Sequence, residues 1–108
     1  MATLSQVTDA TFDKEVLKSD VPVLVEFGAE WCQPCRQLEP ILLDIASEWE
    51  GRLRIVTLDI DAHVDITMRF GVMGVPALML FSGGQVVEQW NGFQPKRKIV
   101  ERLTNHLG

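Results

Sequence analysis

The sequence predicts an α/β fold, a central mixed β-sheet of about five strands flanked by about four helices. Three observations predict it. Residues 21–27 are almost continuously apolar and β-branched, as in a strand buried on both faces of a sheet. From Pro34 onward, Leu38, Ile41, Leu42, Ile45, Ala46 and Trp49 recur at intervals of three and four, the stripe of an amphipathic helix that Gly51 ends. A further apolar run at residues 53–58 follows, and a strand, a helix and a strand in succession make a right-handed parallel crossover the expected connection.

The remaining elements follow in order. Residues 4–7 alternate weakly and read as a short edge strand. Thr8, Asp9 and Thr11 are candidate N-caps for a first helix running to about Ser19, with Phe12, Val16 and Leu17 on one face. Pro22 does no harm at the start of its strand. Pro34 suits a first helical turn, where no amide bond is lost, whereas Pro40 lies inside the helix and should kink it. Residues 59–70 are polar, with room for a short helix before Gly71. Residues 72–76 read as a loop. Residues 77–81 and 86–90 read as two antiparallel strands joined through Gly83-Gly84, which supplies the positive φ values of a hairpin turn. From Pro95, the residues Ile99, Val100, Leu103 and Leu107 line one face of a closing helix.

Length and composition suit one domain over residues 1–108. Apolar residues make up 46% and charged residues 23%, the balance of a packed globular chain rather than a disordered one. The formal charge of −5 argues against an electrostatic hold on nucleic acid or an anionic membrane, both of which need clustered Lys and Arg. No apolar run reaches the length of a membrane span, and the first residues show no signal-peptide pattern. The expected location is cytoplasmic, and the expected partners are proteins or small molecules.

The chemistry concentrates in Trp31-Cys32-Gln33-Pro34-Cys35, which holds both cysteines of the chain. A pair so spaced can close a static disulfide, form half of a metal site, or cycle between dithiol and disulfide. A zinc site would need two more ligands, and His63 and His106 stand apart without ligand spacing, so no metal is expected. Two cysteines in a chain without an export signal favour redox use over a structural disulfide. The stretch falls where a strand turns into a helix, so unpaired amide N–H groups and the positive end of the helix dipole favour a thiolate at Cys32. Cys35, one turn further in, is expected to be the less exposed. Glu26 is the one carboxylate in the apolar run. On the residues alone the plainer reading, a glutamate reaching solvent at a strand end, is preferred, because buried glutamate is rare. If buried, it would be desolvated and able to exchange protons near neutrality. Trp49 and Trp90 are assigned to packing, and the acidic residues 59, 61 and 65 and the basic run 96–98 to solvated surface.

At this point the chain resembles the thioredoxin family over essentially its whole length. Phe27, Ala29-Glu30-Trp31-Cys32, Pro34-Cys35, Pro40, Asp59, Asp61, Gly71, Gly74-Val75-Pro76, Gly83-Gly84 and Gly92 stand where that family's pattern has them. A Trp-Cys-x-Pro-Cys turn followed about 40 residues later by Gly-Val-Pro before a strand is highly specific. The resemblance implies the thioredoxin fold and a protein disulfide reductase contributing to cell redox homeostasis. In it the Cys32–Cys35 disulfide forms and opens, Cys32 attacks, Cys35 resolves and Glu26 assists proton transfer. It implies a cis Pro76, against a background in which only ~5% of X-Pro bonds are cis. Trp31, Val75, Pro76 and Gly92 would then form an apolar surface for an extended substrate. Gln33 and Pro34 would tune the potential, and Pro34 resembles the reducing members, nearer about −270 mV than about −120 mV. No cofactor is needed, since the two sulfurs hold both electrons. The implied partners are proteins containing disulfides and a reductase such as thioredoxin reductase, met by a monomer. Gln33 stands where the family usually has Gly, Glu26 where it has Asp, Gly28 where it commonly has a first Trp, and Thr57 where many members have Lys. These departures bear on rate and potential rather than on reaction type. Two other readings stay open, a scaffold that keeps the fold without using its thiols and an oxidase or isomerase on the same fold.

Overall fold

The apolar run at residues 21–27 lies in the middle of the molecule. The computed structural model describes residues 4–108. In chain order it contains Ser5–Gln6 (β1), a π-helical turn at Asp13–Leu17, Val23–Gly28 (β2), Gln33–Glu48 (α1), Arg54–Asp59 (β3), Val64–Arg69 (α2), Ala77–Ser82 (β4), Gln85–Asn91 (β5) and Lys96–Leu107 (α3). The strands form one five-stranded sheet in the order β1-β3-β2-β4-β5. β3 is parallel to both β1 and β2, as expected for a crossover through α1, while β4 is antiparallel to β2 and to β5.

Side chains of a strand alternate between faces, and here the alternation separates two cores. Val23, Val25 and Phe27 point into a layer with Val56, Leu58, Met79 and Phe81, closed by Phe12, Val16 and Ile66. Leu24 belongs to the opposite layer with Ile55, Leu78, Leu80 and Trp90, covered by Leu38, Leu42 and Ile45 of α1 and Ile99 and Leu103 of α3. Each such fully buried side chain contributes about 1.5–3 kcal/mol. Trp49 and Trp90 lie in this second layer, where the sequence assigns them to packing. Glu26 shares the parity of Leu24, so its carboxyl lies on the α1 side.

The hairpin is tighter than the sequence suggests. The strands extend to Ser82 and Gln85, which pair with each other, leaving a two-residue loop of Gly83 and Gly84 with φ of 60° and 81°. Both values demand glycine, and a Cβ on Gly84 would also come within 3.0 Å of the Leu17 carbonyl oxygen. The helix α1 runs without interruption through Pro40. At the start of α3, Lys96 is placed against the dipole but reaches Glu48 Oε2 at 2.6 Å, an exposed pair worth at most about 1 kcal/mol.

The first helix departs most from expectation. Instead of a helix from Thr8 to Ser19 there is one five-residue turn, Asp13–Leu17, closed by a Lys18 N–H to Asp13 carbonyl bond of 2.9 Å. Of the predicted caps, Thr8 is used where expected: the amide of Thr11 donates to Thr8 Oγ1 and that of Thr8 to Thr11 Oγ1, a reciprocal cap from which the Phe12 amide bonds the Thr8 carbonyl at 2.9 Å. The Asp9 carboxylate instead caps the distant α2, accepting from the amides of Ile66 at 2.9 Å and Asp65 at 3.4 Å.

Phe12 closes the first layer through ring contacts of 5.4 Å to Phe70 and 5.5 Å to Phe81. Truncating it should leave a cavity beneath the turn. Phe12→Ala is expected to lower the unfolding free energy by about 3–5 kcal/mol, as read from urea denaturation.

Candidate redox site

The active end is assembled where β2 stops. Gly28 is its last residue, and after a short turn Cys32 becomes the N-cap of α1, with φ −88° and ψ 104°. Its Sγ accepts the Cys35 amide N–H at 3.2 Å, the capping bond that a Ser or Asp oxygen makes elsewhere. Pro34 occupies the first turn, where its missing N–H leaves no bond unmade. Cys32 and Cys35 are joined in a disulfide with Cα atoms 5.3 Å apart. A sulfur at a helix N-terminus, against an amide proton, is the site on which negative charge is stabilised when the bond opens.

The sheet register brings further residues to this end. Phe27 pairs with Ala77 and Ala77 with Asn91, so the residues just outside these pairs, Pro76 and Gly92, lie beside the strand end that feeds the cysteine turn. The Val75–Pro76 bond is cis, and the Gly92 amide donates to the Pro76 carbonyl at 2.8 Å. Trp31 is 66% exposed, as expected for the turn, and Gln33 and Pro34 are exposed on the first turn of α1. The Trp31 indole N–H donates to Asp61 Oδ2 at 2.8 Å, and the Asp61 amide donates to Asp59 Oδ1 at 2.9 Å. The acidic loop assigned above to solvated surface thus holds the exposed tryptophan. Only the place of Asp59 and Asp61 in the resemblance pointed there.

One alternative is decided and one expectation is corrected. Glu26 is desolvated within the apolar run and does not reach solvent, against the reading preferred on residue type alone. It is 3% exposed, pairs in register with Thr57 of β3 and Leu78 of β4, and its Oε2 has no hydrogen-bond partner. Its pKa is pushed up from 4.5 to about 7, first by burial and then by the negative charge of Glu39. Nothing in the spacing of the sequence marked Glu39 as its neighbour beyond their placement on facing elements. Nor is Cys35 the less exposed cysteine, at 6% against 3% for Cys32. The reason lies at Gly28. A cavity of about 470 Å³ is bordered by Glu26, Gly28, Cys35, Glu39, Thr57 and Asp59, and Cys32 is not on its wall.

Among the described residues no group of three or more His, Cys, Asp or Glu is disposed to hold a metal, and His63 is engaged through Nδ1 with the Asp9 amide at 3.4 Å. Among the described residues no helix is long and apolar enough to cross a membrane.

Comparison with known proteins agrees with this geometry. The family model described as Thioredoxin matches residues 3–105. Thioredoxin 1 of Nostoc sp. is 43% identical over 107 residues, covering 99% of this chain and all of the relative. Thioredoxin of Pseudomonas aeruginosa is 48% identical over 101 residues, 94% of each chain. Thioredoxin of Rickettsia bellii is 40% identical over 103 residues, 95% of this chain and 98% of the relative.

The buried Glu26 makes stability fall with rising pH. Below pH 4.5 the group is protonated in both folded and unfolded chains. Between 4.5 and about 7 only the unfolded chain releases the proton, and above about 7 the full cost is present. Glu26→Gln is therefore expected to be more stable than the parent above pH 7, by on the order of 3 kcal/mol. The difference should vanish as pH approaches 4.5, measured by denaturant titrations across the range.

Proposed function

The chain belongs to the thioredoxin family, and on that footing we propose that Cys32 is its attacking thiol and Cys35 its resolving one. The protein is a dithiol–disulfide protein reductase, acting on proteins with disulfides and returned to the dithiol by a reductase, in keeping with a part in redox homeostasis. One observation supports the division of labour above all. Cys32 Sγ caps α1 and accepts the Cys35 amide, so the helix start favours its thiolate, whereas Cys35 lies inside the first turn and borders the cavity with Glu26.

In the proposed sequence the Cys32 thiolate attacks one sulfur of the target disulfide. That S–S bond breaks, a mixed disulfide forms on Cys32, and the first target sulfur leaves as thiolate. Glu26, as carboxylate, takes the proton of Cys35, whose thiolate then attacks Cys32 Sγ. The Cys32–Cys35 disulfide forms, the second target sulfur leaves, and two electrons have passed to the target. A group with pKa near 7 is matched to giving and taking that proton at neutral pH.

Trp31, Val75, Pro76 and Gly92 are proposed to receive the target chain beside Cys32, with Gln33 and Pro34 setting the potential of the couple. The reading includes a monomeric single domain over residues 1–108, a cytoplasmic location, thioredoxin reductase as the electron donor, and neither nucleic acid nor membrane among its partners.

A Cys35→Ser variant tests the assignment. It should accumulate proteins as mixed disulfides on Cys32, released by added dithiol, while Cys32→Ser accumulates none through that position. Equal trapping by both variants, or none by either, sinks the proposed roles.

A further inference from the structure

The cavity beside Cys35 opens on the buried carboxyl of Glu26. A Cβ placed on Gly28 would lie 3.3 Å from Cys35 Sγ and 3.9 Å from the Glu26 carboxyl carbon, so a side chain at position 28 would fill the volume in front of that carboxyl. Thr57, opposite Glu26 in register, is short enough to leave the next part of the wall open. At about 470 Å³ the cavity is within the size range of small-molecule sites.

The wall selects the charge and shape of an occupant. Glu26 is 3% exposed and its Oε2 has no hydrogen-bond partner, so a buried acceptor borders the cavity. Nearer solvent, Glu30 and Glu39 are exposed and Asp59 is half-buried. Arg36, the one cation among the lining residues, donates to the Glu30 carbonyl. Such a mouth repels anions and draws cations in. Among the described residues no group of three or more His, Cys, Asp or Glu is disposed to hold a metal ion, and a single buried oxygen is better suited to an N–H donor. An ammonium makes a charge-assisted bond there, roughly twice as strong as a neutral one. Folding has desolvated the carboxyl beforehand, so the ligand adds only the dehydration of its own head.

We propose that this cavity is a binding site for slender aliphatic amines with two protonated ends, one donating to Glu26 Oε2 and the other held among Glu30, Glu39 and Asp59. The site goes beyond the dithiol–disulfide reading, and no bond to sulfur forms or breaks in it. Only its consequence rests on that reading. The amine takes the carboxylate that accepts the Cys35 proton in the resolving step, so the two uses of Glu26 exclude each other. An occupied cavity therefore delays resolution of the mixed disulfide on Cys32.

The disulfide form is unfolded with urea at pH 8 in 1,4-diaminobutane dihydrochloride, or at equal ionic strength in tetramethylammonium chloride, whose cation has no N–H donor. A ligand that binds only the folded chain lowers the unfolding constant. The diamine should lower it by about fivefold at roughly 50 mM, the effect of a dissociation constant near about 10 mM, and tetramethylammonium should not. Amines on surface carboxylates would keep their effect down to about pH 5, since those groups stay ionised there. Here the effect should fade below about 7, where Glu26 takes up its proton. Thr57→Leu and Gly28→Leu keep every charge and fill the cavity from two sides. Each is compared with itself in the two salts and should lose the diamine effect, and the second guards against local damage by the first. Equal stabilisation by the two salts, an effect unchanged to pH 5, or one indifferent to both fillers overturns the site. For the consequence, single turnovers of the reduced parent on a protein disulfide are quenched in acid and weighed by intact mass. Diamine should raise the amount caught as mixed disulfide several-fold, and an unchanged amount with the amine bound overturns the delay while the site stands. Failure of the parent to reduce the protein disulfide without amine overturns the reductase reading, and the stability measurements still decide the site.

Discussion

A helix begins with amide N–H groups that have no carbonyl partner within it, and the reactive end of this protein depends on where that shortage is placed. In α1 it falls on Cys32, whose sulfur takes the Cys35 amide as a cap. The placement is rigid because both sides of the turn are anchored. Upstream, β2 is held between β3 and β4. Downstream, Leu38, Leu42 and Ile45 fix the helix to the sheet through residues with no exposure at all. A cysteine in the same tetrapeptide on a free helix would have the dipole but not the fixed direction. Here the core supplies the direction and the helix end supplies the charge preference.

The pleat of one strand decides what stands behind the sulfur. Because side chains alternate along β2, Val23, Val25 and Phe27 fill one layer, and Glu26 falls with Leu24 in the other, the layer that α1 covers. A carboxyl there breaks the rule that buried polar groups are satisfied, and its Oε2 stays unpaired. Violations of this kind collect at functional sites, where a group with a displaced pKa is worth more to the chemistry than an apolar residue is to the fold. The rest of that layer, from Leu24 to Leu103, is apolar except for the indole N–H of Trp90, which is likewise buried without a hydrogen-bond partner, so the fold carries two unsatisfied polar groups there.

The parts of the fold legible in the sequence were those with a long, regular pattern. The apolar β2 run, the sixteen residues of α1 and the Gly83-Gly84 turn each carry a signal that their neighbours cannot override. The cysteine turn was legible for the same reason, since its place between a strand and a helix follows from the two flanking patterns. What failed depended on contacts distant in sequence. Thr8, Asp9 and Thr11 have the chemistry of helix caps, and only the folded chain shows that Asp9 serves another helix. Glu26 could not be assigned on residue type, because burial of its carboxyl depends on which layer the helix covers. The cavity at Gly28 was the least legible feature. A missing side chain carries no periodicity, and it matters only because Cys35 and Glu26 turn out to flank it.

The capping of α2 by Asp9 reaches further than the helix itself. With six residues, Val64–Arg69 is well below the length at which a helix persists alone. It is held by Asp9 across 56 and 57 residues of chain and by Ile66 in the core. The same aspartate contributes its amide to His63, two residues beyond Asp61. Asp61 in turn holds the indole of Trp31. The seat of the amino-terminal segment and the hold on the tryptophan therefore fall on one short stretch, Asp61 to His63. Loosening the chain near Asp9 should be felt as greater freedom of that ring, with no residue of the reactive turn altered.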